Sequence, residues 1–337
     1  MGSAPPLSIR FSPEGIWIPE IDLWLDPRRP VAQAWFSHAH SDHATGRPAH
    51  VWATPRTWEL YRLRWPETTD VPQVPHPMAF GVATEFRGAT LTAWPAGHIV
   101  GAAQLCIERE GYRVVYTGDL KLKPPICGIT TTVVSCDRLI VESTFGLPIF
   151  DFLDQAEARR RILQFAQETL AESATPVFLG YPLGRGQEIA HVLATAGIPT
   201  SVHGAMHKFL PIYEAEGYAF PGVEAYHAKV DRTRALVVVP GMRDYLEAKG
   251  EVRVAYVSGW AAMANARTRA NAHELIPYSD HADFGELLDL IAGTGAGQID
   301  IVHGYAEPQA RILRDRGFAA EAASTQMIRT AEETGEA

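Results

Sequence analysis

The segment of residues 35–43 constrains this chain more than any other part of its sequence. Directly after an apolar run that predicts the end of a β-strand, three histidines and one aspartate fall within six residues: His38, His40, Asp42 and His43. A strand that runs into a tight turn can aim such side chains at a common point. Imidazoles and carboxylates are ligands for zinc-class cations, and a mixed set of this spread suits two ions better than one. The alternative is a polar loop that is merely rich in histidine, which the complete H-x-H-x-D-H pattern disfavours.

The size and composition are those of a globular chain with a large core. The 337 residues, of which 46% are hydrophobic and 20% charged, predict two domains or one large domain. Residues 1–8 lack the basic and apolar regions of a signal peptide, and no apolar run reaches the roughly 18 residues of a membrane span. We therefore expect no membrane association.

The cysteines and the net charge bear on compartment and partners. Cys106, Cys127 and Cys136 lack C-x-x-C spacing, which predicts buried, reduced thiols and a cytoplasmic protein. The net charge of −9 does not by itself indicate nucleic-acid binding. Bound divalent cations and a basic groove can nevertheless coexist with an acidic whole, so the charge does not exclude a phosphate-containing substrate.

The pattern of apolar residues predicts two kinds of organisation. Short strands separated by turns are predicted across residues 8–120, and a long amphipathic helix across 151–172. Strands that alternate with helical segments after residue 175 predict a parallel α/β module. The predicted strands are 8–18, 31–37, 51–53, 90–95, 103–109, 113–117, 176–180, 199–203, 235–240, 253–257 and 298–302, with further helices at 55–63 and 283–293.

Four more metal-ligand candidates follow strand-like runs. Asp26 closes an apolar run before Pro27, His98 lies in a glycine-bracketed loop, Asp119 follows Val-Val-Tyr-Thr-Gly, and His303 follows Ile-Asp-Ile-Val. One histidine at a strand end is usually an ordinary loop residue. Successive strands that each deliver one histidine or aspartate predict a single site built at one edge of a sheet.

The order Asp26, H-x-H-x-D-H, His98, Asp119 resembles the metallo-β-lactamase fold over most of the chain. Three later residues resemble the β-CASP nucleases, which process RNA 3′ ends and repair DNA. Glu142 in V-E-S-T-F-G matches their motif A, His281 in Y-S-D-H-A-D their motif B, and His303 their motif C. The run G-Y-P-L-G-R-G-Q-E at residues 180–188 resembles the glycine-rich loop of their cap domain. The length and the segments S-H-A-H-S-D-H-A and S-D-H-A-D are most similar to bacterial ligase-associated DNA damage response exonucleases.

That resemblance implies an architecture and a set of ligands. The fold would be an α/β protein, namely a metallo-β-lactamase αββα sandwich formed by residues 1–148 and 273–326. A β-CASP cap domain would be inserted at 149–272, and 327–337 would be a flexible tail. One divalent ion, Zn²⁺ or Mn²⁺, would be held by His38, His40 and His98, and another by Asp42, His43 and His303, with Asp119 bridging them. Asp26 would orient a ligand histidine or a water molecule rather than bind metal.

The resemblance also implies catalytic and phosphate-binding roles. His281 would be the general acid, held and kept protonated by Glu142. The alternatives are that Glu142 is a capping or surface carboxylate and that His281 merely follows a helix-capping Asp280. Backbone N–H groups of the glycine-rich run would bind a phosphate. The predicted phosphate-binding residues are Tyr181, Gly184, Arg185, Gly186 and Ser279.

Together these features predict a metal-dependent exonuclease acting on DNA with a free end, in repair with an ATP-dependent ligase and a helicase. A β-CASP ribonuclease remains an alternative, because the same metals and acid would serve RNA. A small-molecule hydrolase of the same fold is disfavoured by the motif A and motif B residues and by the large insertion. A non-catalytic scaffold is disfavoured by the complete ligand set.

Overall fold

Three β-sheets organise the protein, of which the computed structural model describes residues 6–65, 72–227, 233–247 and 250–323. The first sheet has six strands in sequence order. They are β1 (Arg10–Ser12), β2 (Gly15–Ile18), β3 (Leu23–Leu25), β4 (Gln33–Trp35), β5 (His50–Ala53) and β6 (Val74–Pro77). The strand predicted over 8–18 is instead a hairpin of β1 and β2, because Gly15 adopts φ 133°, a backbone conformation that side chains disfavour.

The second sheet has seven strands, which come from two separate parts of the chain. Its strands are β7 (Ala83–Phe86), β8 (Ala89–Pro95), β9 (Ala103–Arg109), β10 (Tyr112–Tyr116), β11 (Arg138–Glu142), β18 (Gln298–Val302) and β19 (Ala320–Ala322). Strand β18 pairs with β11 in parallel, so the chain leaves this sheet after β11 and returns to its neighbouring position.

The third sheet is formed within that excursion and is entirely parallel, as the strand and helix alternation predicts. In spatial order β14-β13-β15-β12-β16-β17, its strands are β12 (Thr175–Leu179), β13 (Thr200–Val202), β14 (Val223–Ala225), β15 (Ala235–Val238), β16 (Val252–Val257) and β17 (Glu274–Ile276).

Helices cover the sheets. They are α1 (Pro55–Arg64), α2 (Gln155–Ala171), α3 (Arg185–Thr195), α4 (Gly204–His207), α5 (Leu210–Ala215), α6 (Arg243–Glu247), α7 (Ala266–Ala270), α8 (Phe284–Thr294) and α9 (Ala306–Asp315). The helix predicted over 151–172 is α2, which begins at Gln155 after Asp154, whose side chain accepts the Glu157 N–H, and buries Ile162 and Phe165. In the described part of the chain, no helix is both long and apolar enough to cross a bilayer.

The first two sheets pack face to face. Side chains that alternate along their strands form a shared core, in which Ile16 and Leu25 of the first sheet meet Leu105 and Val114 of the second. This is the predicted sandwich, and the third sheet is the predicted α/β addition. The predicted boundaries at 149 and 272 remain predictions, and the tail after 326 lies outside the described residues. The three cysteines are buried thiols, as expected.

Candidate metal centre

Asp119 lies at the centre of a buried group of histidines, one turn beyond the end of β10. Its Oδ2 is 3.3 Å from His43 Nε2 and 3.4 Å from His38 Nε2, and it lies 3.9 Å from Nε2 of both His98 and His281. Burial alone would raise the pKa of the Asp119 carboxyl, but His43 and His281 lower it well below its usual range. A carboxylate therefore faces four imidazoles drawn from three separate parts of the chain.

Four of these ligand candidates form what we call the compact set, whose ligand atoms all lie within 4.8 Å of one another: His38, His40, His98 and Asp119. His38 Nε2 and Asp119 Oδ1 are buried and have no hydrogen-bond partner among the described residues. Burial lowers the pKa of His40 to about 3 and that of His38 well below its usual range, which favours the neutral imidazole that binds metal. Unpartnered, converging donor atoms of this chemistry fit a divalent cation.

Hydrogen bonds from behind fix each imidazole of the compact set. They join His38 Nδ1 to the Ser37 hydroxyl (3.0 Å), His40 Nε2 to the Leu183 carbonyl (2.9 Å) and His98 Nδ1 to the Asp280 carbonyl (2.9 Å). Because the far nitrogen of each ring donates its proton, the near nitrogen keeps its lone pair for the centre. The tautomers are thus set for metal binding.

The remaining predicted ligands, Asp42, His43 and His303, form what we call the open set. Asp42 Oδ2 is 3.9 Å from His43 Nε2, and the His43 and His303 rings are 5.1 Å apart. The Asp42 side chain is 19% exposed, and the set lines a small pocket together with Arg28. His43 Nε2 is buried and has no hydrogen-bond partner among the described residues. The open set therefore faces a pocket, whereas the compact set is buried.

Asp26 lies behind the open set. Its Oδ2 is 2.7 Å from His43 Nδ1 and accepts the hydroxyls of Ser37 (2.6 Å) and Tyr116 (2.8 Å), while Oδ1 accepts the Ser37 N–H. From this position Asp26 can orient His43 without reaching Asp119. The backbones of Asp26 (φ 45°) and His303 (φ 58°) are left-handed, a conformation that costs a non-glycine residue about 1–3 kcal/mol.

Glu142 and His281 form a buried pair beside the compact set. His281 Nδ1 lies 3.0 Å from both carboxylate oxygens of Glu142, which ends β11 and accepts the backbone N–H groups of Leu120 and Thr144. Burial lowers the pKa of His281, but Glu142 and Asp119 outweigh this effect and raise it to about 10. The Nε2 side of a protonated imidazole therefore faces the centre, as an acid requires.

The predicted phosphate-binding residues lie beside the centre but in a closed arrangement. Arg185 is 2% exposed and forms an ion pair with the buried Asp280. The Tyr181 ring packs edge-on against His40, and the Ser279 hydroxyl accepts the His281 N–H. Gly184 and Gly186 lie against neighbouring atoms with no room for a Cβ. In this arrangement the Arg185 guanidinium binds Asp280 rather than a ligand, and the phosphate-binding role stays a prediction.

Several supporting residues were not found from the sequence. Two adjoin predicted residues along the chain and could have been suspected for that reason, namely Ser37 and Asp280. The others carry no signal that distinguishes them from ordinary core or loop residues. They are Tyr116, the Leu183 carbonyl and Arg28.

Comparison with known proteins yields several relatives, although no protein-family model matches the chain. The chain is 32% identical over 319 residues to "Probable DNA ligase" of Opitutus terrae, covering 94% of this chain and 31% of that protein. It is 25% identical over 252 residues to "Cleavage and polyadenylation specificity factor subunit 3" of Dictyostelium discoideum, covering 65% and 30%. An "RNase J-like protein" of Methanocaldococcus jannaschii is 25% identical over 206 residues, covering 56% and 48%.

A likeness of structure agrees with these likenesses of sequence. A crystal structure of a protein of unknown function from Enterococcus faecalis V583 superposes with a TM-score of 0.57 and 14% identity, covering 84% of this chain and 77% of that one, which shows the fold. The chain spans less than half the length of each of the three sequence relatives. With its buried histidine and aspartate clusters, which indicate metal binding, the chain is a relative of the β-CASP nucleases within the metallo-β-lactamase family.

Proposed function

We propose that this protein is a two-metal phosphodiesterase that degrades DNA from a free strand end and acts in DNA repair. The observation that carries the proposal is the Glu142–His281 pair, because Glu142 holds Nδ1 of His281 while Nε2 lies 3.9 Å from the carboxylate at the centre of the metal ligands. Hydrolysis of a phosphodiester needs such an acid, since the leaving alkoxide is a strong base.

The chemistry divides between the ions and the protein. Two divalent ions, Zn²⁺ and/or Mn²⁺, held by the compact and open sets, would supply an activated water and neutralise charge on the phosphate. His281 Nε2 would donate a proton to the leaving oxygen while Glu142 holds Nδ1. Asp26 would hold the ring of His43 in its orientation, and Ser37 would do the same for His38. Arg28 lines the pocket beside the open set, and its charge favours an anionic substrate there.

The preference for DNA and the link to repair rest on the relative named as a DNA ligase. A region of that protein is similar to 94% of this chain, whereas most of its length lies outside the similarity. A region of this kind within a ligase supports a nuclease that prepares ends for joining, with a ligase and a helicase as functional partners in the cytoplasm.

A ribonuclease acting on RNA ends is the second candidate. It is favoured by the names of the two other relatives, an RNase J-like protein and a cleavage and polyadenylation factor subunit. The described centre is compatible with either nucleic acid, because the 2′-OH is recognised by contacts outside the metal ligands and the acid.

One set of assays separates these functions. Metal-loaded protein is incubated with end-labelled linear single-stranded DNA, matched RNA, circular DNA and a chromogenic lactam. We expect mononucleotides from linear DNA and little or no cleavage of the other three. Asp42→Ala and His281→Ala should slow the release of mononucleotides by at least about 10²-fold. Glu108→Ala, which removes a partly exposed carboxylate on the inner strand β9, should keep the parent rate. Faster cleavage of RNA, or full activity of the first two variants, would exclude the proposed function.

A further inference from the structure

The third sheet contributes directly to the metal centre. Residues 181–187, which follow β12 and begin α3, form what we call the cap loop. The Leu183 carbonyl of this loop accepts the His40 Nε2 proton at 2.9 Å, although 143 residues separate the two positions. The orientation of a ligand at the edge of the first sheet is therefore fixed by backbone from the third sheet.

A second connection runs through a buried ion pair. The guanidinium of Arg185 in the cap loop contacts the carboxylate of Asp280, and the two residues are 2% and 1% exposed. The backbone carbonyl of the same Asp280 accepts the His98 Nδ1 proton at 2.9 Å. Breaking a buried pair leaves an uncompensated charge, so the segment that carries this carbonyl would shift if Arg185 moved away.

Gly184 allows the cap loop to approach this closely. Its φ is 104°, and a Cβ there would lie 2.7 Å from Ile99 Cγ2 and 2.8 Å from Asp280 Oδ2. Ile99 directly follows the ligand His98. The cap loop is thus packed against both segments that position His98, with no room for a side chain at residue 184.

We propose that the cap loop is part of the metal site, with Arg185 as a positioning residue that acts through Asp280 on His98, while Leu183 positions His40. Two of the three histidines of the compact set are held in this way, whereas His43 of the open set is held by Asp26 of the first sheet. Docking of the cap loop and metal binding at the compact set therefore favour each other. By linkage, each increases the equilibrium constant of the other by the same factor. The inference rests on the metal binding proposed above, but not on the substrate.

Metal binding can be measured without any nuclease assay. Metal-free parent protein, Arg185→Lys and Asp280→Asn are titrated with Co²⁺, whose absorption spectrum reports ligand number and geometry. Loss of outer hydrogen bonds to metal ligands typically weakens binding by about 10–100-fold. For Asp280→Asn we expect the affinity for one of the two ions to fall by this factor and the affinity for the other to stay unchanged. Arg185→Lys keeps the positive charge, so its affinity for the same ion should fall by less. Amide hydrogen exchange supplies the reciprocal readout, in which metal should slow exchange in the cap loop more in the parent than in Asp280→Asn.

Two further variants test whether the change in affinity comes from the cap loop. Asp300→Asn breaks the partly buried Arg138–Asp300 pair between β11 and β18 and should leave Co²⁺ affinity unchanged. Gly184→Ala displaces the cap loop without changing a charge and should weaken the same ion as Asp280→Asn does. Unchanged affinity in Asp280→Asn and Gly184→Ala, or an equal loss in Asp300→Asn, would overturn the proposal. A parent protein that binds no Co²⁺ would overturn the metal assignment itself, whereas metal binding without nuclease activity would contradict only the proposed function.

Discussion

The compact set contains Asp119, and His43 of the open set lies 3.3 Å from it, but the two sets are built in different ways. The compact set is buried and nitrogen-rich, and two of its histidines are held by backbone carbonyls. In the open set, Asp42 is partly exposed, His43 is held by the carboxylate of Asp26, and a pocket lies alongside. An enclosed ion exchanges slowly, whereas an ion beside a pocket can meet water and substrate. The difference predicts that the compact set binds its ion tightly and that the open set binds its ion more weakly, on the substrate side.

The largest expected effect is that of Asp119→Asn, because Asp119 belongs to the compact set and also lies 3.3 Å from His43 of the open set. A neutral amide there should release the second ion and loosen the first, with a loss of DNA hydrolysis of at least about 10³-fold. Metal content by elemental analysis and initial rates on end-labelled DNA measure the two effects. His76→Ala removes a histidine that contacts His50 instead, and it should keep both ions. Retention of two ions by Asp119→Asn would refute a shared ligand.

His281→Ala tests a residue that belongs to neither set. Loss of a general acid should lower kcat by about 10²–10⁴-fold while two ions remain bound. Single-turnover rates and metal content, measured on the same preparation, make the comparison. If this variant lost an ion, His281 would be a ligand rather than the acid. Rescue of the rate by a substrate with a better leaving group, such as a p-nitrophenyl ester, would support the assigned role.

Paired substitutions contrast the two sets directly. His98→Ala should abolish tight binding of one ion, and His303→Ala should weaken only the more exchangeable one. Each loss should exceed the roughly 10–100-fold that an outer hydrogen bond contributes. Competition with a chromophoric chelator measures both affinities. Identical binding curves for the two variants would show that the ligand sets are not distinct.

Asp26→Asn should have a smaller effect, mainly on the affinity for the open-set ion. The amide can still accept the Ser37 N–H, but it holds His43 less firmly than a carboxylate does. Affinity for the open-set ion should fall by about 10–100-fold, whereas the tight ion should weaken less, because Asp26 reaches His38 only through the Ser37 hydroxyl. The same competition titration applies, with Asp280→Asn as the mirror-image variant that affects the other ion. Equal weakening of both ions by Asp26→Asn would argue against separate support.

A different kind of effect, on stability and not on metal affinity, is expected at Glu188 near the compact set. Burial raises the pKa of Glu188 from 4.5 to about 7, and Asp280 adds to this effect. The protonated form is therefore favoured in the folded state, so its stabilisation is complete below about pH 4.5 and is lost as pH rises through about 7. Relative to Glu188→Gln, the parent should lose on the order of 3 kcal/mol of unfolding free energy across that window. Urea denaturation at several pH values measures this difference, and Glu168→Gln on the exposed face of α2 should show no such trend.

Residues that act through neighbours along the chain could be predicted from the sequence. The H-x-H-x-D-H turn and the residues that end β3, β10, β11 and β18 meet because the ends of adjacent strands share an edge. The alternation of strands and helices predicted the added parallel sheet, whereas the sandwich was implied by the resemblance to the metallo-β-lactamase fold. The β1–β2 hairpin was missed because the turn at Gly15 interrupts a run of otherwise suitable strand residues.

Residues that act through tertiary contacts could not be predicted in this way. Arg185 lies in a glycine-rich run that suggests phosphate, but its partner Asp280 is 95 residues away. Whether a guanidinium binds a ligand or a buried carboxylate depends on that packing. The Leu183 carbonyl carries no side-chain signal at all, since every residue has one.

The left-handed backbones at Asp26 and His303 have a consequence for how such a sequence can change over time. Asparagine and glycine tolerate this conformation better than aspartate or histidine, so the most stable residues at these two positions are not those the chemistry requires. Selection for a durable fold alone would tend to erode the centre at these positions first. Asp26 also accepts several buried hydrogen bonds, so this erosion concerns mainly His303. A descendant that kept the scaffold but lost catalysis would relieve the backbone strain there, which makes inactive, purely structural relatives an accessible outcome of drift.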